Sequence, residues 1–192
     1  MTPAEVCARL RGRFGAEVVL AFADQALQPF AVVAAPRVAE VAGFLRSEGD
    51  LAFDNLMCLS AVDWLKEVPP RLEVVYHLLS YRHGHTFVLK VHLPREAPEV
   101  PTVEGVWGVA NWHEREAFDL FGITFRGHSD LRRILLPDDW VGFPLRKDWK
   151  DPEFYNGMRV KPTAQMAERA LQGEALGIGP FADDPPNRHV VR

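Results

Sequence analysis

A dense group of acidic, basic and imidazole side chains occurs in the stretch WHEREAFDLFGITFRGHSDLRR, residues 112–133. Four of its residues are of types that bind zinc or iron: His113, Glu114, His128 and Asp130. Their spacing is not the H-E-x-x-H pattern, because Ala117 stands one helical turn after His113. The residue types alone permit either a metal site, as in a stand-alone metal hydrolase, or a surface that another protein contacts.

A second pair of histidines occurs in the stretch RHGH, residues 82–85. On an extended strand His83 and His85 share one face and could hold a metal. Gly84 between them is typical of a polar hairpin tip, which is the interpretation that the pattern favours.

Other chemistries have little support in the sequence. The two cysteines, Cys7 and Cys58, form no C-x-x-C pair, which rules out a four-cysteine cluster and favours buried free thiols over a disulfide. No glycine-rich phosphate loop or G-x-S-x-G elbow occurs. The net charge of -4 argues against nucleic-acid binding. No apolar run reaches the roughly 20 residues of a membrane span, and the N-terminus lacks the apolar region of a secretory signal.

The elements that must position these residues begin with two predicted helices. Thr2 and Glu5 form a capping box for a helix over residues 3–13. The stretch 37–49 favours a second helix that ends near a glycine. Its predicted buried face consists of Val38, Val41, Ala42 and Leu45.

Extended segments alternate with these helices. Residues 17–24 and 29–36 are rich in β-formers, and residues 72–81 and 85–94 flank RHG as a predicted hairpin. The stretch 53–65 indicates neither helix nor strand clearly. Together the segments predict an α+β domain with an N-terminal mixed sheet flanked by helices.

One long helix is predicted to carry the charged stretch. After the proline-rich connector 94–101, Thr102 is the predicted N-cap and Gly122 the predicted left-handed terminator. A helix over 103–121 is about 28 Å long. Its predicted apolar stripe consists of Val103, Trp107, Ala110, Ala117 and Phe121.

Glu114 falls within that stripe, so its carboxylate lies at an exposed margin or has a basic partner. We expect partial burial, with Arg115, Arg132 or Arg133 as the partner. Arg115 and Asp119 are spaced to pair along the helix surface. We expect the other arginines and Phe125 to face outward, because arginine mixed with aromatic residues is typical of interfaces.

The domain organisation follows from the distribution of apolar residues. Residues 1–136 are predicted to form the α+β core, including the long helix. Residues 137–192 lack a core of their own and are predicted to form an extended C-terminal arm docked on a partner subunit. Within the arm, residues from about 150 onward are expected to be mobile in the isolated chain and ordered in a complex.

The stretch 107–149 resembles the signature of the 30-kDa subunit of respiratory complex I, the proton-pumping NADH:quinone oxidoreductase. The resemblance extends over about residues 55–149. The matched positions are Glu114, Arg115, Glu116, Asp119, Leu120, Phe121, His128, Arg132, Ile134 and Leu135. One departure is Ser129, where family members usually have proline.

The resemblance implies a scaffold subunit without catalytic residues, metal or cofactor, packed against the 49-kDa subunit near the quinone site. FMN, Fe-S clusters and quinone then belong to partner subunits. The implied location is the peripheral arm, on the cytoplasmic side of the cell inner membrane. Similar subunits of membrane-bound hydrogenases and F420 dehydrogenases are the alternative. The expected interface and structural residues are Glu114, Arg115, Glu116, Asp119, Phe121, Gly122, Phe125, Gly127, His128, Asp130, Arg132, Arg133, Arg146 and Lys147.

Overall fold

A mixed sheet lies at the centre of the protein, whose residues 1–159 are described by a computed structural model. Its strands are β1 (Val19–Ala23), β2 (Phe30–Val33), β3 (Asn55–Trp64), β4 (Arg71–Ser80) and β5 (His85–Pro94). Their order is β1-β2-β5-β4-β3, and the β2–β5 pair is parallel while the others are antiparallel. The predicted α+β class with a mixed sheet is confirmed. The undecided stretch 53–65 contains the edge strand β3.

The predicted hairpin is the β4–β5 pair, with its turn around Gly84. Successive side chains of a strand point to opposite faces, so alternate residues of β4 share one environment. The core-facing residues of this strand are Leu72, Val74, Tyr76 and Leu78, all at most 1% exposed.

Three α-helices of the described chain pack into the same core. They are α1 (Pro3–Phe14), α2 (Val38–Ser47) and α3 (Ala110–Phe121). The capping box that begins α1 is confirmed, since the Thr2 hydroxyl accepts from the N–H of Glu5 and the Glu5 carboxylate accepts from the N–H of Thr2. The buried face of α2 is the predicted one.

Helix α3 is shorter than predicted, since it begins at Ala110 rather than at residue 103. Residues 103–109 form turns, in which the N–H groups of Val106 and Trp107 both donate to the carbonyl of Val103. Gly105 and Gly108 lie in this stretch, and glycine costs about 1 kcal/mol relative to alanine inside a helix. The predicted end is correct: Gly122 is left-handed, with φ 72°.

A parallel pair of short strands joins the chain before α3 to the chain after it. It joins β6 (Glu99–Pro101) to β7 (Thr124–Arg126) and continues with a hydrogen bond of 2.9 Å from the N–H of Thr102 to the carbonyl of Arg126. Phe125 points into the core and is 2% exposed. The expectation that Phe125 faces outward is therefore wrong, because β7 alternates exposed, buried and exposed.

The compact unit extends over Met1–Trp149, so the observed boundary lies beyond the predicted position at 136. The second unit is Lys150–Arg192, of which residues 150–159 are described. They contain the antiparallel pair β8 (Phe154–Tyr155) and β9 (Met158–Arg159). The predicted order and disorder of the arm from residue 160 onward lies outside the described residues. Of the helices described, each is too short or too polar to cross a bilayer.

Candidate functional site

Two buried carboxylates of α3, those of Glu114 and Asp119, hold neighbouring segments of chain against the helix in the charged stretch 112–133, which we call the charged motif. Both residues are 0% exposed. A buried carboxylate requires hydrogen-bond donors or a cation to offset the loss of water. The two side chains meet this requirement in different ways, and each fixes a different piece of chain against the helix.

Asp119 holds the last residues of the charged motif and those just after it, which we call the return segment (residues 130–136). One carboxylate oxygen accepts from Arg133 Nη1 at 2.7 Å. The other accepts from the main-chain N–H groups of Ile134, Leu135 and Leu136 at 3.1, 2.8 and 2.9 Å. Burial opposes ionisation, but these donors and Arg133 outweigh it, so the pKa of Asp119 lies below its ordinary value.

Glu114 holds the turns that precede the helix. Its carboxylate accepts from the N–H of Val103 at 2.7 Å and from the hydroxyl of Thr102. The nearest nitrogen of a basic side chain described is His128 Nε2, at 4.0 Å. Burial raises the pKa of Glu114 to about 7, because the two hydrogen bonds offset only part of the desolvation.

The predicted basic partner of Glu114 is therefore wrong. The β6–β7 pair places residues 102–103 against this face of the helix, so a main-chain N–H and a hydroxyl take the place of an arginine. Arg133 pairs with Asp119 instead, and Arg132 pairs with Asp130 at 2.9 Å on the surface.

The buried side chain of His128 braces the turn between β7 and the return segment. Its Nε2 lies 3.1 Å from the carbonyl of Asn111, and its Nδ1 accepts from the N–H of Asp130 at 3.0 Å. Because Nδ1 accepts, the ring proton lies on Nε2 and is directed at a carbonyl.

Arg115 is buried as well, so the predicted surface pair of Arg115 with Asp119 is wrong. Its Nε and Nη2 donate to the carbonyls of Arg132 and Arg133 at 3.2 and 3.4 Å. The guanidinium lies 5.1 Å from the centre of the Trp112 ring. Arg115 and Asp119 thus bind the return segment through its carbonyl and N–H groups respectively.

Ser129 is bound to Glu104, a residue that precedes the motif in sequence. The N–H of Ser129 donates to Glu104 Oε1 at 2.6 Å, and its hydroxyl donates to Glu104 Oε2 at 3.0 Å. A proline at this position lacks the N–H and could not make the first bond. The departure from the usual proline is therefore matched by a specific contact in this chain.

Residues 137–149 are fixed to the compact unit by a buried acid of the edge strand. Asp63 binds Arg95 through two hydrogen bonds of 3.0 and 3.1 Å, and it accepts from the N–H of Lys147 at 2.8 Å. Arg146 donates to the carbonyl of Phe121 at 2.7 Å. These contacts explain why this stretch belongs to the compact unit.

The candidate metal ligands do not converge. Among residues 1–159 no three histidine, cysteine or acidic side chains are arranged to hold an ion. His83 and His85 stack at the hairpin tip with ring centres 5.6 Å apart, and their Nε2 atoms lie 2.9 Å from the carbonyls of Gly49 and Leu51. These contacts agree with the favoured interpretation of RHGH as a hairpin tip.

Comparison with known proteins identifies the family. The sequence profile described as "Respiratory-chain NADH dehydrogenase, 30 Kd subunit" matches residues 31–155. The chain belongs to this family. The resemblance seen in residues 107–149 is thereby confirmed, since the signature lies inside the matched range.

Individual relatives agree with this assignment. The chain is 44% identical to a subunit of the NADH-quinone oxidoreductase of Chlorobium phaeobacteroides, over 79% of this chain and 90% of that protein. It is 39% identical to a subunit of the F(420)H(2) dehydrogenase of Methanosarcina mazei, over 73% and 87% respectively. A solved trypsin-resistant fragment of Nqo5 superposes with a TM-score of 0.53 at 30% identity, over 67% of this chain and 98% of the fragment.

The expected interface and structural residues fall into three environments in this chain. Four are buried: Glu114, Arg115, Asp119 and Phe125. Five are half-buried: Phe121, Gly122, His128, Arg133 and Arg146. Five are exposed: Glu116, Gly127, Asp130, Arg132 and Lys147. The residues of the first two groups pack together in and around α3, and we call this arrangement the brace. The residues of the third group lie at the surface.

Several structural residues were missed by the sequence interpretation. Thr102 was expected to cap α3, but its hydroxyl binds Glu114 and accepts from the N–H of Glu104. Asp63 and Arg95 were not singled out at all. One signal for Asp63 was present, because an acid within the apolar run LSAVDWL of a strand must be paired to be buried.

Proposed function

We propose that this chain is a cofactor-free scaffold subunit of a proton-translocating NADH:quinone oxidoreductase. In this proposal it belongs to the peripheral arm, on the cytoplasmic side of the inner membrane, and docks to the 49-kDa subunit near the quinone site. The assembly transfers electrons from NADH through FMN and Fe-S clusters to quinone. This chain supplies shape and contacts rather than reacting groups.

One observation carries the proposal: the buried charges of the motif are engaged in holding its own chain. Glu114, Arg115 and Asp119 bind main-chain N–H and carbonyl groups on both sides of the helix. A catalytic acid or base must reach its substrate, and these three side chains are nearly or fully inaccessible.

The brace leaves a second set of side chains at the surface, which we call the motif surface. It consists of Trp112, Arg132 and Leu135, which are 62%, 69% and 62% exposed. Tryptophan and arginine are the residues most enriched in interface hot spots. Arg115 links the three, since it lies against the Trp112 ring and binds the return segment that carries the other two. These properties favour a protein partner at this surface.

Purification from native membranes tests the proposal. We expect the tagged chain to co-purify with the 49-kDa subunit and with NADH-oxidising subunits. The double variant Trp112→Ala/Arg132→Ala should keep the melting temperature of the free subunit and lose most of the co-purified partner. Leu27→Ala removes a side chain of the β1–β2 turn that is fully exposed and should change neither quantity.

The contrary result is equally specific. If the double variant folds and assembles normally while quinone reduction by the complex collapses, the motif acts in the chemistry and the docking proposal is wrong.

A second candidate is the equivalent subunit of an F420 dehydrogenase or a membrane-bound hydrogenase. The similarity to the F(420)H(2) dehydrogenase subunit of Methanosarcina mazei supports this second candidate. The electron-input subunit that co-purifies distinguishes the two: an NADH-oxidising flavoprotein supports the first proposal, and an F420-oxidising or hydrogenase subunit supports the second.

The absence of a cofactor is a separate prediction. The purified chain should be colourless and metal-free, because two cysteines cannot ligate a four-cysteine cluster. Metal analysis measures this directly. Stoichiometric zinc or iron that disappears in His113→Ala or His128→Ala would favour the stand-alone hydrolase instead.

A further inference from the structure

The edge strand β3 is a feature that the proposed docking through the motif surface does not use. It is 10 residues long, whereas the strand at the opposite edge, β1, has 5. Within residues 1–159, the main chain of residues 55–62 pairs with β4 alone. An edge strand presents one row of unpaired N–H and carbonyl groups, which can pair with another strand.

From Cys58 to Val62, this edge lacks the devices that usually prevent such pairing. Natural sheets protect their edges with lysines, prolines, bulges or short strands. Residues 55–62 read NLMCLSAV, without a charged residue or a proline. A register irregularity occurs between Leu56 and Cys58, but the register is regular from Cys58 onward. The acid that follows, Asp63, is buried against Arg95 and does not protect the edge.

A groove runs beside the regular part of the strand. It has a volume of about 240 Å³ and lies between residues 58–61 of β3 and the outer side of α3. Ala117, Leu120 and Leu145 contribute apolar surface to it. The groove is therefore suited to small or medium apolar side chains of a strand that pairs with β3.

Glu116 gives the groove a charge preference. It is exposed, lines the groove, and makes no ion pair within the described part of the chain. The other ionisable lining residue, apart from the Cys58 thiol, is His113. An occupant with a lysine or arginine beside Glu116 gains a favourable contact, and an acidic occupant is disfavoured.

We propose that β3 accepts an extended strand of a neighbouring subunit as an additional antiparallel or parallel strand. The occupant places apolar side chains in the groove and a basic side chain against Glu116. Main-chain hydrogen bonds supply affinity and the groove supplies selectivity, as in other cases of strand addition. The inference rests on the proposed function only in placing the chain within a multi-subunit complex.

The reactivity of the two cysteines with an alkylating reagent shows directly whether this edge is covered. Cys58 lines the groove and is partly exposed, whereas Cys7 is buried and 2% exposed. In the full-length free subunit, iodoacetamide should alkylate Cys58 and spare Cys7. In the purified complex the rate at Cys58 should fall by about tenfold or more, as expected for a group that reacts only when the interface opens.

Matched lysine substitutions test the same edge by assembly. Ser60→Lys adds a charge at an exposed position of the edge strand. It should weaken reassembly with a complex from which this subunit has been removed by about tenfold or more. Leu20→Lys makes the same change at an exposed position of the opposite edge strand and should leave reassembly unchanged. Glu116→Lys should weaken reassembly more than Glu116→Gln.

Three other outcomes of these experiments would contradict the inference. If the complex assembles with Cys58 as reactive as in the free subunit, the edge has no occupant, although the proposed function stands. If Cys58 is already protected in the free subunit, size-exclusion chromatography identifies the occupant as a second copy or as this chain itself. A chain that joins no complex would overturn the proposed function together with the inference.

Discussion

The two buried carboxylates of α3 lie in the same helix and are equally inaccessible, yet their ionisation is shifted in opposite directions. Asp119 receives three main-chain N–H groups and an arginine, and its pKa is lowered. Glu114 receives one N–H and one hydroxyl, and its pKa is raised to about 7. The comparison shows that the depth of burial, together with the number and charge of the donors, determines whether a buried acid stabilises the fold as an anion.

The opposite shifts give opposite dependences of stability on pH. The contribution of Asp119 is present above the ordinary aspartate pKa and is lost as the pH falls through its lowered folded value. The contribution of protonated Glu114 is fully present below the ordinary glutamate pKa of 4.5 and is lost as the pH rises through about 7. Four predictions test this difference between Asp119 and Glu114.

The largest effect is expected from Asp119→Ala. It leaves Arg133 and three N–H groups without their acceptor, which should lower the free energy of unfolding by about 3–5 kcal/mol. Urea denaturation of the full-length subunit at pH 7, followed by tryptophan fluorescence, measures this. A loss below about 1 kcal/mol would show that the return segment is held by other contacts.

Unlike Asp119→Ala, Glu114→Gln should not lower the free energy of unfolding at high pH. A raised pKa of about 7 means that ionised Glu114 costs up to about 3 kcal/mol at pH 8, so the amide should be neutral or stabilising there. At pH 4.5 the variant should match or fall slightly below the parent. Denaturation at several pH values between 4.5 and 8 gives the difference curve, and a flat curve would mean that Glu114 is not titrating in this range.

Arg133→Ala should be less severe than the loss of Asp119, at about 2 kcal/mol, because Asp119 keeps its three N–H donors. The neighbouring Arg132→Ala is the matched control. Arg132 is largely exposed and pairs with exposed Asp130, and surface pairs contribute about 0–1 kcal/mol. Equal losses from the two variants would contradict the assignment of Arg133 as the buried partner.

The smallest effect is expected from Thr102→Val, which keeps the shape and removes one donor to Glu114. The loss should be about 1 kcal/mol at pH 8, where the carboxylate needs the hydrogen bond most, and smaller at pH 4.5. The same denaturation series measures both values. A larger loss at pH 4.5 than at pH 8 would reverse the assignment of Thr102 as a donor to the anion.

The elements of the sheet domain could be predicted because their signals are local. The capping box at Thr2, the periodic face of α2 and the turn at Gly84 each involve neighbours in sequence. The start of α3 was placed too early, because the apolar stripe continues through residues 103–109 although the chain there forms turns. A buried stripe at helical spacing does not require a helix when short turns can bury the same side chains.

The candidate site was predictable in its location but not in its pairing. The burial of Glu114 followed from its position in the stripe, whereas its donors came from the β6–β7 pair, whose strands are far apart in sequence. The ion pair between Asp119 and Arg133 likewise depends on how the return segment folds back over the helix. Residue types identified the charged groups, and tertiary geometry determined which of them met.

The contact between Asp63 and the N–H of Lys147 joins positions separated by 84 residues. Closing a loop of this length has an entropic cost, and the anchor can form only after β3, Arg95 and the end of α3 are in place. Residues 143–149 should therefore dock late in folding and open before the sheet does, as a separate unit of low local stability. During synthesis on the ribosome, the sheet and α3 can fold before residues 143–149 have docked. These residues are then the last part of the compact unit to pack.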